Sequence, residues 1–302
     1  MKDQKVLMAE VALMYYKDGL TQQEIAVKLD LTRQTVSKLL TSAVSEGIVE
    51  IKVHNPDSKR HELQDKIEKK YGVKACIFGA SNNSEDLRAI ATIEGAISYL
   101  SPIVQKGGLN IAISWGRTVQ KLVKSFPALN TLNNTVYPLF GATEHEQSYY
   151  LPNELAREFA GKLSARVKYA WFPYKVDNEQ DFELFKRTAY YKKMLSLWAD
   201  CDAVVVGIGN NTAFRLLDPD FKGDKDKLKV VGDVATHFFT EDGTIIENKD
   251  LTLRIDVDTL MAVKTKIAVA YGDDKISAIK GALNSKLVDV LITDEYTAKG
   301  LI

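Results

Sequence analysis

Two cysteines and four histidines in 302 residues leave little material for a disulfide framework or a metal cluster. Cys76 and Cys201 lie in or beside strand-like apolar runs, where buried reduced thiols are expected rather than a disulfide or a metal pair. His54, His61, His145 and His237 are scattered along the chain, and no Ser, His or Cys arrangement has a nucleophile's spacing. No catalytic residue, metal site or cofactor is therefore expected. Long apolar runs are also missing. The uninterrupted ones, such as Ala203 to Val206 and Ile267 to Ala270, fall far short of the roughly 20 residues of a membrane span. The opening Met1-Lys2-Asp3-Gln4 leads into an amphipathic run rather than an apolar signal core, so a cytoplasmic protein without a membrane partner is expected. Charge of one sign is lacking as well: 40 basic side chains balance 40 acidic ones. Residues 1–60 hold nine Lys/Arg against eight Asp/Glu, so bulk charge announces no nucleic acid, and any such argument must rest on placement.

What is present is ordinary globular material, 45% hydrophobic and 26% charged, in a chain long enough for two domains. The first sixty residues read as helices. Leu7, Val11, Met14 and Tyr15 form one stripe ending near Asp18-Gly19. Thr21-Gln22-Gln23-Glu24 has the form of a capping box, followed by Ile25, Ala26 and Leu29 on an inner face. Thr32 caps a longer helix with Val36, Leu39, Leu40, Ala43 and Val44 inside, closed by Gly47. Ile48 to Val53 alternates as a short strand or wing, and Asn55-Pro56-Asp57 ends the unit.

The spacing from Leu20 through Leu40 is that of a helix-turn-helix. Small Ala26 lets the helices approach, and Ile25, Leu31, Val36 and Leu39 fill their shared core. Arg33, Gln34, Ser37, Lys38 and Thr41 are left facing outward, with Thr32 and Thr35 at the helix start, and residues 31–42 contain no acidic side chain. A donor-rich, acid-free face of that size suits base and phosphate contact in a major groove, so operator DNA is the expected partner. Asp30 stands where such turns often have Gly, a residue able to reach the left-handed backbone at modest cost. The bland alternative is a dimerising helical bundle with a solvated polar face.

Residues 57–72 read as a charged connector helix with Leu63 and Ile67 on one face. Beyond Val73 strand-like runs (73–78, 109–114, 135–140, 165–172, 203–208, 228–234, 265–271 and 287–292) alternate with helical stretches at 84–100, 118–126, 153–163, 181–199 and 274–284. That alternation predicts an α/β fold: a small helix-turn-helix domain over 1–56, then a Rossmann-like domain over 57–302, its largely parallel sheet covered on both faces. Strand, turn and helix at Asn110 to Phe126 make an anion site, with free N–H groups at the helix start, hydroxyls from Ser114 and Thr118, and the Arg117 fork. An ordinary turn with a surface Arg is the alternative. Lys275 stands at a second helix start, where the dipole disfavours a cation; either a bound anion or Asp273 and Asp274 would offset it. Gly141 and the Gly207-Ile208-Gly209 run follow strands, where backbone can approach a ligand. Glu144, His145, Glu146 and Gln147 read equally as a solvated loop or as sugar-hydroxyl contacts.

The runs Ile111-Ala112-Ile113-Ser114-Trp115-Gly116-Arg117-Thr118, Val231-Gly232-Asp233-Val234, and Tyr271-Gly272-Asp273-Asp274-Lys275 through Leu291-Ile292-Thr293-Asp294-Glu295 resemble the SorC family of sugar-binding transcriptional regulators. Val36-Ser37-Lys38-Leu39-Leu40 and Glu46-Gly47-Ile48-Val49 are similar to the same family, so the resemblance spans essentially the whole chain and keeps its order. It implies an effector domain akin to phosphosugar isomerases and deaminases, a homotetramer, and a small phosphorylated sugar-like effector. It points to Ser114, Trp115, Gly116, Arg117, Thr118, Gly141, Asn153, Gly207, Gly209, Asp233 and Lys275 as effector-binding, with Ala142 replacing a common second Gly. The expected function is a DNA-binding regulator of a carbohydrate or small-metabolite catabolic operon. The rival is a phosphosugar isomerase or deaminase carrying a reader helix, with Asp233, Asp294 or Glu295 as acid/base.

Overall fold

Apolar spacing and two side-chain caps build the first unit. In the computed structural model, which describes residues 4–49, 58–79, 84–144, 147, 149, 151–210, 229–246 and 251–302, it holds α1 (Gln4–Tyr16), α2 (Gln22–Leu29) and α3 (Arg33–Ser45). Thr21 accepts from the Glu24 N–H while the Glu24 carboxylate accepts from the Thr21 N–H at 2.8 Å, the reciprocal box that starts α2. Asp30 ends α2 in the left-handed region (φ 53°, ψ 46°), and Thr32 starts α3 by accepting from the Thr35 N–H at 3.1 Å. Ile25, Ala26, Val36, Leu39, Leu40 and Ala43 bury against Met8, Val11 and Ala12 of α1. The inward stripe of α1 is thus turned from the expected one: Tyr15 is exposed, Leu7 and Met14 only flank the core, and Met8 replaces them at its centre. Of the expected wing, Ile48 and Val49 pack against this core and 50–53 lie outside the described residues.

The chain divides into compact units at Met1–Ser58 and Lys59–Ile302. The second unit comprises α4 (Ser58–Tyr71), β1 (Lys74–Phe78), α5 (Glu85–Val104), β2 (Asn110–Ile113), α6 (Arg117–Ser125), β3 (Thr135–Pro138), α7 (Pro152–Leu163), β4 (Arg166–Val167), α8 (Glu179–Arg187), α9 (Ala189–Ala199), β5 (Ala203–Val206), β6 (Gly209–Asn210), β7 (Val230–Val234), β8 (His237–Thr240), α10 (Val257–Ala262), β9 (Thr265–Val269), a 3₁₀ turn (Asp273–Lys275), α11 (Ile276–Asn284), β10 (Val290–Asp294) and α12 (Glu295–Lys299). Seven strands form a parallel sheet in the order β1-β10-β9-β5-β2-β3-β4. Alternation along the strands feeds two cores. Ala112, Val204, Val206, Ala268 and Leu291 face one, with Trp198, Ile279 and Leu283. Ile111, Ile113, Val205, Ile267 and Val269 face the other, with Ala96, Leu100, Leu122 and Phe159. Helix α5 is long and apolar enough to cross a bilayer, yet Arg88 and Thr92 are buried along it beside Ala89, Ile93, Ala96 and Leu100, as in a core helix.

Two expectations are corrected. The run at 228–234 does not join the parallel sheet; β7 pairs antiparallel with β6 and β8 in a separate three-stranded sheet. The long helix expected at 181–199 breaks at Thr188, which leaves the helical region (ψ 150°) to close α8 and cap α9. The element most open to a local test is the turn of the first unit. A β-branched residue in the left-handed region costs roughly 1–2 kcal/mol, a penalty Gly does not carry. Asp30→Val should therefore lower the stability of that unit by about that much, whereas Asp30→Gly leaves it unchanged or raised, as chemical denaturation would read.

Candidate functional site

Neighbouring strands in the sheet wind in opposite directions from the β2–β5 boundary: the chain steps from β2 outward to β3 and β4, then returns to β5 and proceeds through β9 and β10. Such a reversal opens a crevice beyond the carboxyl ends of the strands. Here it is a cavity of about 540 Å³ lined by the turns after β2, β5 and β9 and by the β7–β8 hairpin. Ser114, Trp115, Gly116, Arg117, Thr118, Gly207, Gly209, Asp233 and Lys275 all line it. Gly141 and Asn153 do not. Gly141 is glycine because a Cβ would lie 2.2 Å from the Pro173 carbonyl oxygen, a close backbone approach within the fold. Asn153 exchanges two hydrogen bonds with the Ala170 backbone, at 2.9 and 3.0 Å, beside a separate hollow of about 240 Å³. Of the neighbouring loop, Glu144 is exposed and Gln147 accepts from the Tyr149 hydroxyl; His145 and Glu146 lie outside the described residues.

Two turns enter the cleft with nearly the same backbone. Gly116 (φ 113°, ψ 161°) precedes α6, and Gly272 (φ 113°, ψ 148°) precedes the 3₁₀ turn into α11. That region is essentially closed to side chains, so glycine is required at both. Neither helix start has a side-chain cap, which leaves its first N–H groups for a ligand. Gly116 contributes conformation rather than a donor, because its own N–H goes to the Tyr149 carbonyl at 2.7 Å. Ser114 is likewise engaged, its hydroxyl donating to the Trp115 carbonyl at 3.0 Å. Trp115 stacks on Phe140 with centroids 4.5 Å apart, a buried rigid wall.

Charge in the cleft is unevenly neutralised. Arg117 is exposed and pairs with no carboxylate among the described residues. Lys275 also forms no ion pair there; its Nζ donates to the Ile208 carbonyl. Of the two acids that could have neutralised Lys275, Asp273 pairs with Arg88 at 3.4 Å and Asp274 accepts from the Asn210 amide at 2.8 Å. Burial pulls the Lys275 pKa down and Arg117 adds to that, while Asp233 and Asp274 oppose it. Burial pushes the Asp233 carboxyl up to about 6, against the Thr236 N–H it accepts at 3.0 Å and the charges of Lys275 and Arg254. The sequence reading missed Asn210, Glu85, Lys121 and Tyr271, which also line the cleft, and Arg254 near Asp233. Apart from Tyr271, which opens one of the runs that resemble the family, none carried a local motif. Asp294, a candidate acid of the rival enzyme, is committed instead to capping α12 and to Arg88, 3.2 Å away.

In the first unit, Arg33, Gln34, Ser37, Lys38 and Thr41 are exposed on one face of α3. Thr32 and Thr35 bond each other at 2.8 Å within the cap.

A family model for a sugar-binding domain matches residues 56–302, and a MarR-family model matches residues 11–61. The chain belongs to the SorC family of sugar-binding transcriptional regulators. It is 28% identical to the sorbitol operon regulator of Klebsiella pneumoniae over 98% of this chain and 97% of that one. It is 26% identical to the deoxyribonucleoside regulator of Bacillus subtilis, over 100% and 98% of the two chains. The crystal structure of full-length SorC from Klebsiella pneumoniae superposes with a TM-score of 0.75 at 26% identity, covering 100% of this chain and 99% of that one. As a member of this family the chain is a transcriptional regulator and not an enzyme.

The cleft's carboxylate makes this SorC-family domain sensitive to pH. The Asp233 pKa is raised from 3.8 to about 6, so the neutral acid favours folding below pH 3.8 and that advantage is lost as pH rises through 6. Relative to Asp233→Asn, the wild-type chain should lose roughly 2 kcal/mol between pH 4 and 7, read by paired thermal melts. Parallel pH profiles for the two proteins would contradict it.

Proposed function

We propose that the chain binds operator DNA through α3 and regulates a carbohydrate or small-metabolite catabolic operon under control of a phosphorylated, sugar-like effector. The observation that carries the effector's chemistry is the pair of uncapped helix starts at Gly116 and Gly272, each bringing into one cleft a cation without an ion-pair partner among the described residues. An anion there gains the N–H groups of Arg117, Thr118 and Val119, the Arg117 fork and the Lys275 ammonium, all strengthened by the helix dipoles. Asp233, Asn210 and the backbone at Gly207 and Gly209 offer acceptors and donors for hydroxyls on the remainder of the ligand. The named functions of the two relatives, regulation by way of a sugar alcohol operon and of deoxyribonucleosides, agree with a polyhydroxylated ligand class.

Two-fold operators need paired reading heads, and the proposed assembly is a homotetramer working in the cytoplasm. Arg33, Gln34 and Ser37 read base edges, and Lys38 and Thr41 hold phosphates. Replacing Arg33 or Gln34 by Ala should cost about 1–3 kcal/mol at one or two operator positions, while Lys38→Ala weakens all DNA alike and lowers the salt slope by about one unit. Gel-shift titrations over a mutated operator set separate these outcomes; a double Arg33/Gln34 variant that binds as selectively as wild type would refute the assignment.

A thermal-shift panel of phosphorylated and unphosphorylated sugars tests the effector. The best ligand should carry a phosphate, and Arg117→Ala and Lys275→Ala should each weaken it by roughly 1.5–3 kcal/mol, the range for hydrogen bonds to charged groups. A neutral sugar as best ligand, or variants that respond as wild type does, would move the site elsewhere.

A further inference from the structure

Arg88 is an arginine buried in the first turns of α5, 185 residues from Asp273 in sequence, and it does not line the cleft. Its guanidinium joins three pieces of chain. Nε lies 3.2 Å from Asp294 Oδ1 at the end of β10, Nη2 lies 3.4 Å from Asp273 Oδ1, and the ring of Tyr296 sits 4.6 Å from its carbon. Asp294 in turn accepts from the N–H groups of Tyr296 (2.9 Å) and Thr297 (3.1 Å) and from the Thr297 hydroxyl. The Thr297 oxygen accepts the Gly272 N–H at 2.9 Å. The contacts close a ring: Arg88, Asp294, Thr297, Gly272, Asp273 and back to Arg88. Inside that ring is the Gly272–Lys275 turn, the piece of backbone that delivers Lys275 and Asp274 to the cleft.

Two consequences follow from this arrangement. Asp273, 60% exposed and itself lining the cleft, sets a negative charge at the rim of a site whose ligand is read as an anion, and Arg88 is the cation that offsets it. A second is geometric. Gly272 holds φ 113° while its N–H is tied to Thr297, so the direction in which the turn leaves β9 depends on Asp294 staying in place, and Arg88 faces that carboxylate. We propose that Arg88 is a positioning residue of the effector site: without touching the ligand, it orients the Gly272–Lys275 turn and cancels the Asp273 charge, and so sets the cleft's affinity for anions. The inference rests on the anionic effector proposed above.

The test uses the full-length protein and inorganic phosphate as the probe, with apparent affinity taken from the melting temperature against phosphate concentration. Arg88→Met keeps most of the side chain's bulk and removes its charge; it should weaken phosphate about tenfold, the scale of one unit charge several ångströms away near a protein surface. Adding Asp273→Asn to Arg88→Met should restore part of that loss, because the cleft-lining one of the two carboxylates that Arg88 faced is then gone. A merely structural role predicts the same gain from Asp273→Asn with or without Arg88, whereas the positioning role makes that gain larger in Arg88→Met. If wild type shows no phosphate-dependent stabilisation, the anionic effector falls and this inference with it. If wild type responds and Arg88→Met responds equally, or the double variant stays as weak as the single one, only the positioning role is overturned. Should Arg88→Met not fold, Asp273→Asn alone decides: it leaves Arg88 facing Asp294, removes the negative charge at the rim and should tighten phosphate, and unchanged or weaker binding overturns the role.

Discussion

The structure depends on a parallel sheet that must hide both faces. Once alternate side chains of β2, β5 and β9 are committed to two separate cores, the strands have no free surface except their ends. A cleft opens at the carboxyl edge where the winding reverses, between β2 and β5, and the proposed effector site lies there. The same constraint explains the glycines. The turns after β2 and β9 take a backbone conformation that side chains rarely tolerate, met by Gly116 and Gly272 at the same φ of 113°. Two helix starts are aimed into one cleft because two strands flanking β5 leave the sheet in the same way.

Burial then sets the electrostatics. A lysine and a carboxylate held in a poorly solvated cleft without direct contact each lose hydration, and the loss acts on them in opposite senses: the Lys275 pKa falls while that of Asp233 rises to about 6. Direct pairing would have cancelled both charges and left a neutral, self-satisfied floor. The turn geometry prevents it by giving the Lys275 ammonium to the Ile208 carbonyl and the Asp274 carboxylate to Asn210. Cations thus stand at one wall and a carboxylate at the other, the polarity on which the proposed effector chemistry rests.

How much of this was readable in the sequence follows from how local each signal is. The caps at Thr21 and Thr32 and the left-handed Asp30 involve residues within a turn of one another, and the sequence carries them openly. The strands that feed both cores are continuous apolar runs and were equally visible. The β7–β8 hairpin was not: Ala235 and Thr236 make its turn at φ 50° and 61°, without the Asn or Gly that normally marks such a turn. Gly141 could not be told from a ligand-facing glycine, since Pro173, the group it admits, is remote in sequence. Arg88 gave no signal at all, because its three partners come together only when β9 and β10 are folded beside α5.

Near-neutrality has consequences for the reader helix as well. A chain with 40 charges of each sign has no net charge to attract DNA, so under the proposed reading phosphate contact falls to the acid-free face of α3, where Arg33 and Lys38 are the cations. Counterion release from so few contacts supplies only a shallow salt dependence and weak non-specific affinity per head. Under that reading the exposed donors on Gln34 and Ser37 would add discrimination between bases rather than bulk affinity. In the proposed assembly tight operator binding would come from joining such heads, since a second linked head binds at a high effective concentration without any new contact. Weak single heads have a further effect: any ligand-driven change in how heads are spaced alters the joint affinity far more than it alters either head alone. In the proposed assembly an effector bound to the larger unit would act on DNA occupancy through that spacing.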